Sequence, residues 1–313
     1  MLLLLPALVL SAPVVVLKVE GPIGVASADF IQRGMQRAAD ENALLLVLQL
    51  DTPGGLDSSM RQIIRDILSS PVPVATFVAP GGARAASAGT YILYASHIAA
   101  MAPGTNLGAA TPVQIGGLPG SEPEQKPRPE PDEKADRPAK HNEKGPVKDH
   151  MAHKMINDAA AYIRGLAQMR ERNAEWAEQA VRQAVSLSAE EALNLKVIDY
   201  VATDMPDLLK QVNGRQISVL GQNLMLDTGS AAIQIVEPDW RIQLLAVITH
   251  PSVAYILMLI GIYGLFFEFS NPGFVLPGVV GGISLLMAMY AFQLMPINYA
   301  GLALILLEGG DLL

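Results

Sequence analysis

No cysteine occurs in the 313 residues, and that absence removes disulfide bridges, thiolate metal sites and a cysteine nucleophile together, while leaving the redox compartment open. Aromatic residues are scarce at 5%, although half of the chain is hydrophobic. With a mean hydropathy of +0.30, that apolar balance is more than a soluble domain usually hides, so membrane segments have to be sought first. Basic residues do not predominate either, since 22 Lys and Arg stand against 30 Asp and Glu, giving a net charge of -8. Phosphate-backbone binding needs concentrated Lys and Arg, which makes nucleic acid a poor candidate partner.

Met1 to Leu10 is a short apolar run followed by Ser11-Ala12-Pro13. That is the pattern of a secretory signal, without its positively charged start, and it is too short to span a bilayer. The alternative is a buried first strand merging with Val14 to Val19. From Val14 to about Leu220, β-rich runs alternate with helical stretches, which predicts an α/β domain over residues 13–235. Strands are expected at Val14 to Val19, Leu44 to Leu50, Val74 to Val78, Ile98 to Met101, Val197 to Val201 and Gln216 to Leu220. Helices are expected at Ala26 to Ala39, Asp57 to Leu68, Ser87 to Ser96, Met151 to Met169, Ala174 to Ala184 and Ala189 to Leu195. The run from Leu44 to Leu50 is almost continuously apolar, the mark of a strand covered on both faces. Ser188 and Glu191 have the spacing of a capping box at a helix start.

Between Thr111 and His150 the composition turns to Pro, Glu, Lys, Asp and Arg with almost no large apolar residue, which predicts a flexible charged insert. After Arg241, Ile242 to Phe269 is overwhelmingly apolar and long enough for a spanning helix of ~20 residues, with Pro251 either kinking it or marking its start. Phe274 to Leu294 is a second candidate span, where Gly278, Gly281 and Gly282 allow close helix contact and Asn271-Pro272-Gly273 makes the turn. Ile297 to Leu307 is a third apolar run, too short to cross alone, and the membrane region of 242–307 reads as cut off.

Two stretches could carry chemistry. Asp51-Thr52-Pro53-Gly54-Gly55 follows the buried strand and precedes a helix, and glycines at such a turn free N–H groups to hold a developing oxyanion. A plain tight turn would use them too. In Ala79-Pro80-Gly81-Gly82-Ala83-Arg84-Ala85-Ala86-Ser87-Ala88-Gly89-Thr90-Tyr91, a serine sits at an expected helix start, where the helix dipole favours nearby negative charge. By itself Ser87 also suits an N-cap. Taken together, two glycine-bearing loops at the ends of successive strands fall at one sheet edge, where α/β sheets bind ligands. The N–H groups of Gly55 and Ala88 then flank a carbonyl placed beside Ser87 Oγ.

Leu50-Asp51-Thr52-Pro53-Gly54-Gly55, Ala85-Ala86-Ser87-Ala88-Gly89-Thr90-Tyr91, Met101-Ala102-Pro103-Gly104-Thr105-Asn106 and Asn157-Asp158-Ala159-Ala160-Ala161-Tyr162-Ile163-Arg164 resemble the NfeD-type membrane serine proteases. These stomatin operon partners belong to the ClpP/crotonase superfamily. The resemblance implies repeated βαβ units followed by transmembrane helices, and a Ser-Lys dyad of Ser87 and Lys154 with Gly55 and Ala88 as the oxyanion hole. It implies no cofactor and no metal. As substrates it implies apolar peptide stretches of membrane-associated proteins, stomatin-like ones included; homo-oligomer formation is left open. Many members also carry a C-terminal OB-type β-barrel, for which this chain has no segment.

A free lysine, with a pKa near ~10.4, is protonated at neutral pH and cannot take the serine proton unless burial lowers that value. On a helical wheel Met151, Ala152, Met155, Ile156, Ala159, Tyr162, Ile163 and Leu166 form the apolar face, and Lys154 lies beyond its edge. Without the resemblance, Lys154 reads as solvated and weakly paired with Asp158; Lys148 is the other lysine in reach. His97 is expected at the far end of the helix that Ser87 begins. His150 and His153 lack a third ligand for a metal, and His141 and His250 read as solvated and membrane-edge residues. Glu268, inside an apolar run, is either functional or interfacial. Two rival readings are a crotonase-like acyl-CoA enzyme and a non-catalytic membrane scaffold for stomatin-like proteins. The signal-like start alone places the catalytic domain outside the cytoplasm, since flanks such as Arg241 give almost no positive-inside signal.

Overall fold

The computed structural model describes residues 12–112, 146–248, 250–270 and 275–294. The signal-like segment, most of the charged insert, the Asn271-Pro272-Gly273 turn and the third apolar run lie outside the described residues. Before the insert come β1 (Val14–Glu20), α1 (Val25–Asp40), β2 (Leu45–Asp51), α2 (Asp57–Ser69), β3 (Val74–Val78), β4 (Arg84–Ala86), α3 (Ala88–Ala95), β5 (Ile98–Met101) and β6 (Asn106–Gly108). After it come α4 (Pro146–Met169), α5 (Ala174–Arg182), β7 (Ser186–Ser188), α6 (Ala189–Asn194), β8 (Tyr200–Val201) and α7 (Met205–Val212). Then follow β9 (Gln216–Val219), β10 (Gln222–Met225), β11 (Ile233–Val236), α8 (Trp240–Ile248), α9 (Pro251–Ser270) and α10 (Val275–Leu294).

One six-stranded sheet has the order β11-β1-β2-β3-β5-β8, and every neighbouring pair in it is parallel. Parallel pairs need crossovers, which α1, α2 and α3 supply. Because successive strand side chains point to opposite faces, Val15, Leu17, Leu46 and Leu48 enter one core with Phe30, Ile31, Ile63 and Ile163. Val14, Val16, Leu45 and Val47 enter a second core with Leu208, Leu209, Val212 and Ile217. The sheet is thus covered on both faces, as the unbroken apolar run of β2 requires.

The expected α/β class holds, with local corrections. The strand expected over Val197 to Val201 shrinks to β8, because the N–H groups of Val197 and Ile198 both donate to Ala192 O (2.8 and 3.3 Å) and tie those residues to α6. Helix α6 does begin with the Ser188 capping box, where Ser188 N–H donates to Glu191 Oε2 at 2.8 Å. Hydropathy patterning misses the short strands β4, β6, β7, β10 and β11 and the helix α7. The first apolar run is two helices, α8 and α9, and Pro251 opens the second, where a missing N–H and a fixed φ suit a first helical residue.

Helices α9 and α10 pack antiparallel, Gly261 facing Leu285, Gly264 facing Gly281 and Glu268 facing Gly278. Their spans Ser252–Ser270 and Val275–Phe292 each have a hydropathy of 1.9, with only 11% and 22% buried inside the protein. An apolar surface of that extent is matched to lipid. Ile242 of α8 enters the first core and ties this helical region to the α/β domain.

Candidate active site

The C-terminal ends of β2 and β3 deliver both glycine-bearing loops to one edge, as the sequence predicts. Thr52 N–H donates to Arg84 O at 2.7 Å and Ala86 N–H to Thr52 O at 3.0 Å, so the loops are paired as strands are. Asp51 Oδ1 accepts from Arg84 N–H at 3.0 Å, which makes Asp51 a clamp between loops.

Ser87 is the residue before α3, and its backbone is left-handed, with φ 51 and ψ -114. Such a conformation costs a non-glycine residue roughly 1–3 kcal/mol and persists only where the surroundings impose it. They do so here. Ser87 N–H donates to Gly108 O at 2.9 Å, and Ser87 O accepts from Thr90 N–H at 3.0 Å. Thr90 Oγ1 lies 2.8 Å from Ala85 O and 3.0 Å from Gly108 O, and it accepts from Gly108 N–H at 3.1 Å.

The opposite wall is glycine for steric reasons. Gly54 has φ +116, and a Cβ on it would stand 2.6 Å from Ser87 Cβ and 3.1 Å from Ser87 Oγ. A Cβ on Gly55 would collide with Ile23 O. Ile23 N–H donates to Gly54 O at 2.8 Å and Leu56 N–H to Ile23 O at 2.8 Å. Alternation along an extended backbone then turns the Gly55 N–H to the other side, the side on which Thr52 pairs with Ala86. Ala88 N–H belongs to the first turn of α3, whose donors have no partner within the helix. Neither N–H has a hydrogen-bond partner among the described residues. Their field favours negative charge beside Ser87.

Lys154 shares no hydrogen bond with this group among the described residues. It is exposed, in the first half of α4, and makes no ion pair among the described residues. The expected pairing with Asp158 does not form, because Asp158 Oδ2 accepts from Arg61 Nη2 at 2.7 Å. Arg61 also bonds Asp57 at 2.9 Å and lies 4.5 Å above the centre of the Tyr162 ring, which stacks on Tyr91 at 6.2 Å. This cluster docks α4 onto α2 and α3. The apolar face of α4 is shorter than the wheel indicates, because Met151, at 56% exposure, and Ala152 are both exposed. The side chains of Lys148 and His150 lie outside the described residues, as does His141. Burial pushes the Tyr91 and Tyr162 phenols above the ordinary tyrosine range, so both stay neutral; Tyr91 donates to Ala110 O at 3.2 Å.

Sequence reasoning missed Thr90 and the Asp57, Arg61, Asp158 bridge, although the four-residue spacing of Asp57 and Arg61 on one helix was a readable signal. His97 is not on α3 but just beyond its cap Ser96, where Nδ1 accepts from Val74 N–H at 3.2 Å. Glu268 sits against Gly278 in the helix pair, with Oε2 buried and unpartnered among the described residues.

A family model described as the NfeD1b N-terminal domain matches residues 13–220, and one for the NfeD integral membrane domain matches residues 252–309. The membrane-bound protease PH1510 of Pyrococcus horikoshii is 36% identical over 295 residues, which cover 94% of this chain and 61% of that protein. Membrane protein NfeD1b of Bacillus subtilis is 29% identical over 306 residues, with the same 94% and 61% coverage. The chain therefore spans about three fifths (61%) of the length of these relatives. Among solved structures, a lysine-to-alanine variant of the 1510-N membrane-bound stomatin-specific protease with a substrate peptide superposes with a TM-score of 0.63. It is 34% identical and covers 75% of this chain and 96% of its own. A serine-to-alanine variant of the same protease gives 0.61 at 34% identity, over 72% and 98% of the two chains. The 1510-N protease specific for a stomatin homolog from Pyrococcus horikoshii gives 0.60 at 32% identity, over 77% and 100%.

Proposed function

This chain belongs to the NfeD family of membrane proteins, and on that premise we propose that it is a membrane-anchored serine endopeptidase with Ser87 as nucleophile and Lys154 as general base. Ser87 Oγ attacks the scissile carbonyl carbon while Lys154 Nζ takes the hydroxyl proton. The C–N bond then breaks as that proton passes from Lys154 Nζ to the leaving amine, and water, giving its proton to the freed Lys154 Nζ, hydrolyses the ester left on Ser87 Oγ. The N–H groups of Gly55 and Ala88 stabilise the oxyanion of each tetrahedral intermediate.

The observation that carries this reading is the enforced left-handed backbone of Ser87 at the mouth of α3. A strained strand-to-helix turn that holds a hydroxyl forward, facing unpaired N–H groups, is how a nucleophile is presented. The exposure of Lys154 adds a condition. The lysine acts as base when an occupant of the cleft excludes water from it. An apolar stretch of substrate does this and a polar one does not, which accords with apolar segments of membrane-associated proteins as the substrate class. The stomatin-specific names of the related proteases make stomatin-like proteins the first candidates. The domain over 13–235 is the catalytic part, carried outside the cytoplasm on a multi-pass membrane region.

The same exposure of Lys154 favours a second reading, a non-catalytic scaffold for stomatin-like proteins. Incubating the full chain in lipid with apolar peptides separates the two. The protease reading expects cleavage that falls at least about a thousandfold in both Ser87→Ala and Lys154→Ala. Equal cleavage by all three forms removes the dyad, and no cleavage by any form supports the scaffold.

A further inference from the structure

At the sheet edge opposite Ser87, where β3, β5 and β8 begin, two guanidinium groups bond one partly buried carboxylate and a third, that of Arg170, stands near it. Arg172 Nη2 lies 2.8 Å and Arg215 Nη2 3.4 Å from the two oxygens of Asp199. Arg172, whose side chain is 3% exposed, is engaged through both terminal nitrogens, because its Nη1 also donates to the carbonyls of Leu93, Tyr94 and Ser96 at 3.0 to 3.1 Å; its buried Nε has no partner among the described residues. Arg170 is not. Its Nε donates to Ala95 O at 2.8 Å, and no hydrogen bond from its two terminal nitrogens is found among the described residues. Arg215 lies 5.1 Å over the Tyr200 ring and also interacts with the Tyr200 side chain through a hydrogen bond, so it is held at the rim of the carboxylate and only partly committed to it at 3.4 Å.

Arg170, Arg215 and His97 line a cleft of about 150 Å³ between the end of α4 and β9. His97 is 8% exposed, and because its Nδ1 accepts from Val74 N–H, the neutral ring carries its proton on Nε2, an additional donor. Burial, then the charges of Arg170 and Arg172, hold His97 down at about 4. Burial and Arg172 likewise pull Arg170 down to about 10. Burial is the larger cause of both shifts, and repulsion among the neighbouring cations the smaller one. Glu171, the one acid lining the cleft, is exposed and screened by solvent.

We infer that this cleft is a binding site for a small phosphate-class oxyanion, held by the terminal nitrogens of Arg170 and by His97 Nε2–H, with the Arg215 guanidinium adding its charge. Planar guanidinium forks match the oxygens of such an anion, and its charge offsets the cation excess. The bound anion joins the end of α3, the end of α4 and strand β9. Helix α3 begins beside Ser87 and α4 carries Lys154, so the anion fastens the far ends of both. The inference stands independently of the protease reading, since binding is read without any substrate.

Thermal unfolding of the full chain tests it in two arms: detergent with inorganic phosphate against chloride at equal ionic strength, and nanodiscs with or without phosphatidic acid. A saturable rise in Tm in the first arm identifies a free oxyanion, and one in the second arm alone identifies a lipid headgroup. In Arg215→Gln the half-maximal concentration rises about tenfold or more, the loss of one charge at the site. Gln216 is exposed on β9 at the cleft, so Gln216→Glu keeps the fold and removes the response by occupying the site with its own carboxylate. No saturable response in either arm, or an undiminished one in both variants, overturns the inference.

Discussion

Gly54 and Ser87 are in contact across the two loops, so closely that a Cβ on Gly54 would stand 2.6 Å from Ser87 Cβ. Gly54 also sits at φ +116, where a side chain is strained whatever the space. Gly54→Ala is expected to cost about 2 kcal/mol of stability and to lower kcat/KM about a hundredfold or more by displacing the hydroxyl. Urea unfolding beside peptide hydrolysis measures both. A variant with wild-type kcat/KM would show that Ser87 is not held for chemistry.

The strain at Ser87 has its own consequence. Glycine adopts φ 51 with ψ -114 freely, and Ser87 Oγ makes no hydrogen bond among the described residues. Ser87→Gly therefore gains about 1 kcal/mol of stability while abolishing hydrolysis. Ser87→Ala, which keeps the strain, abolishes hydrolysis without that gain, and the Tm difference between the two variants is the measurement.

Arg61 joins Asp57 to Asp158 and covers Tyr162. Partly exposed ion pairs contribute little to stability, so Arg61→Ala is expected to cost only about 1 kcal/mol. Its effect on α4, which carries Lys154, is larger, and kcat falls about tenfold. Hydrogen exchange checks the cause, because amides around residue 158 lose protection while those of β2 keep it.

Acid sensitivity follows from His97, held at about 4 against an ordinary 6.5. Between those values the unfolded chain binds a proton that the folded chain refuses, so stability falls as pH drops from 6.5 to 4 and is restored above 6.5. The contribution is at most roughly 3 kcal/mol. Asp199 acts at lower pH: burial opposes its charge, but Arg172 and the Ala99 N–H hold it below the usual carboxylate range, so its stabilisation fades only as pH falls through that depressed value. His97→Gln flattens the upper window, and Asp199→Ala, which leaves Arg172 buried and unpaired, costs about 3–5 kcal/mol at neutral pH.

Much of this was legible in the sequence, and the rest fails for identifiable reasons. Long apolar runs such as Leu45 to Leu50 announce buried parallel strands because both faces must be covered, and glycines at strand ends announce loops that share an edge. Strands of three residues such as β4, β6 and β7 leave no period to read; they exist because Thr52, Ala85 and Gly108 pair through backbone atoms that every residue has. Ser87 was legible as a small residue at a helix start, whereas its left-handed backbone was not, since Gly108 and Thr90 impose it from afar. The helical wheel placed Lys154 on the polar side correctly and gave it Asp158 as a partner wrongly, because a wheel cannot show that Arg61 of another helix competes.

The most direct measurement is covalent trapping of the nucleophile in the full chain with a fluorophosphonate that carries an apolar tail, read by peptide mass spectrometry. The account predicts an adduct on Ser87 alone, at a rate that falls at least about a hundredfold in Lys154→Ala. Labelling of Ser87 at the same rate in wild type and Lys154→Ala, or labelling of other serines as fast as Ser87, contradicts it.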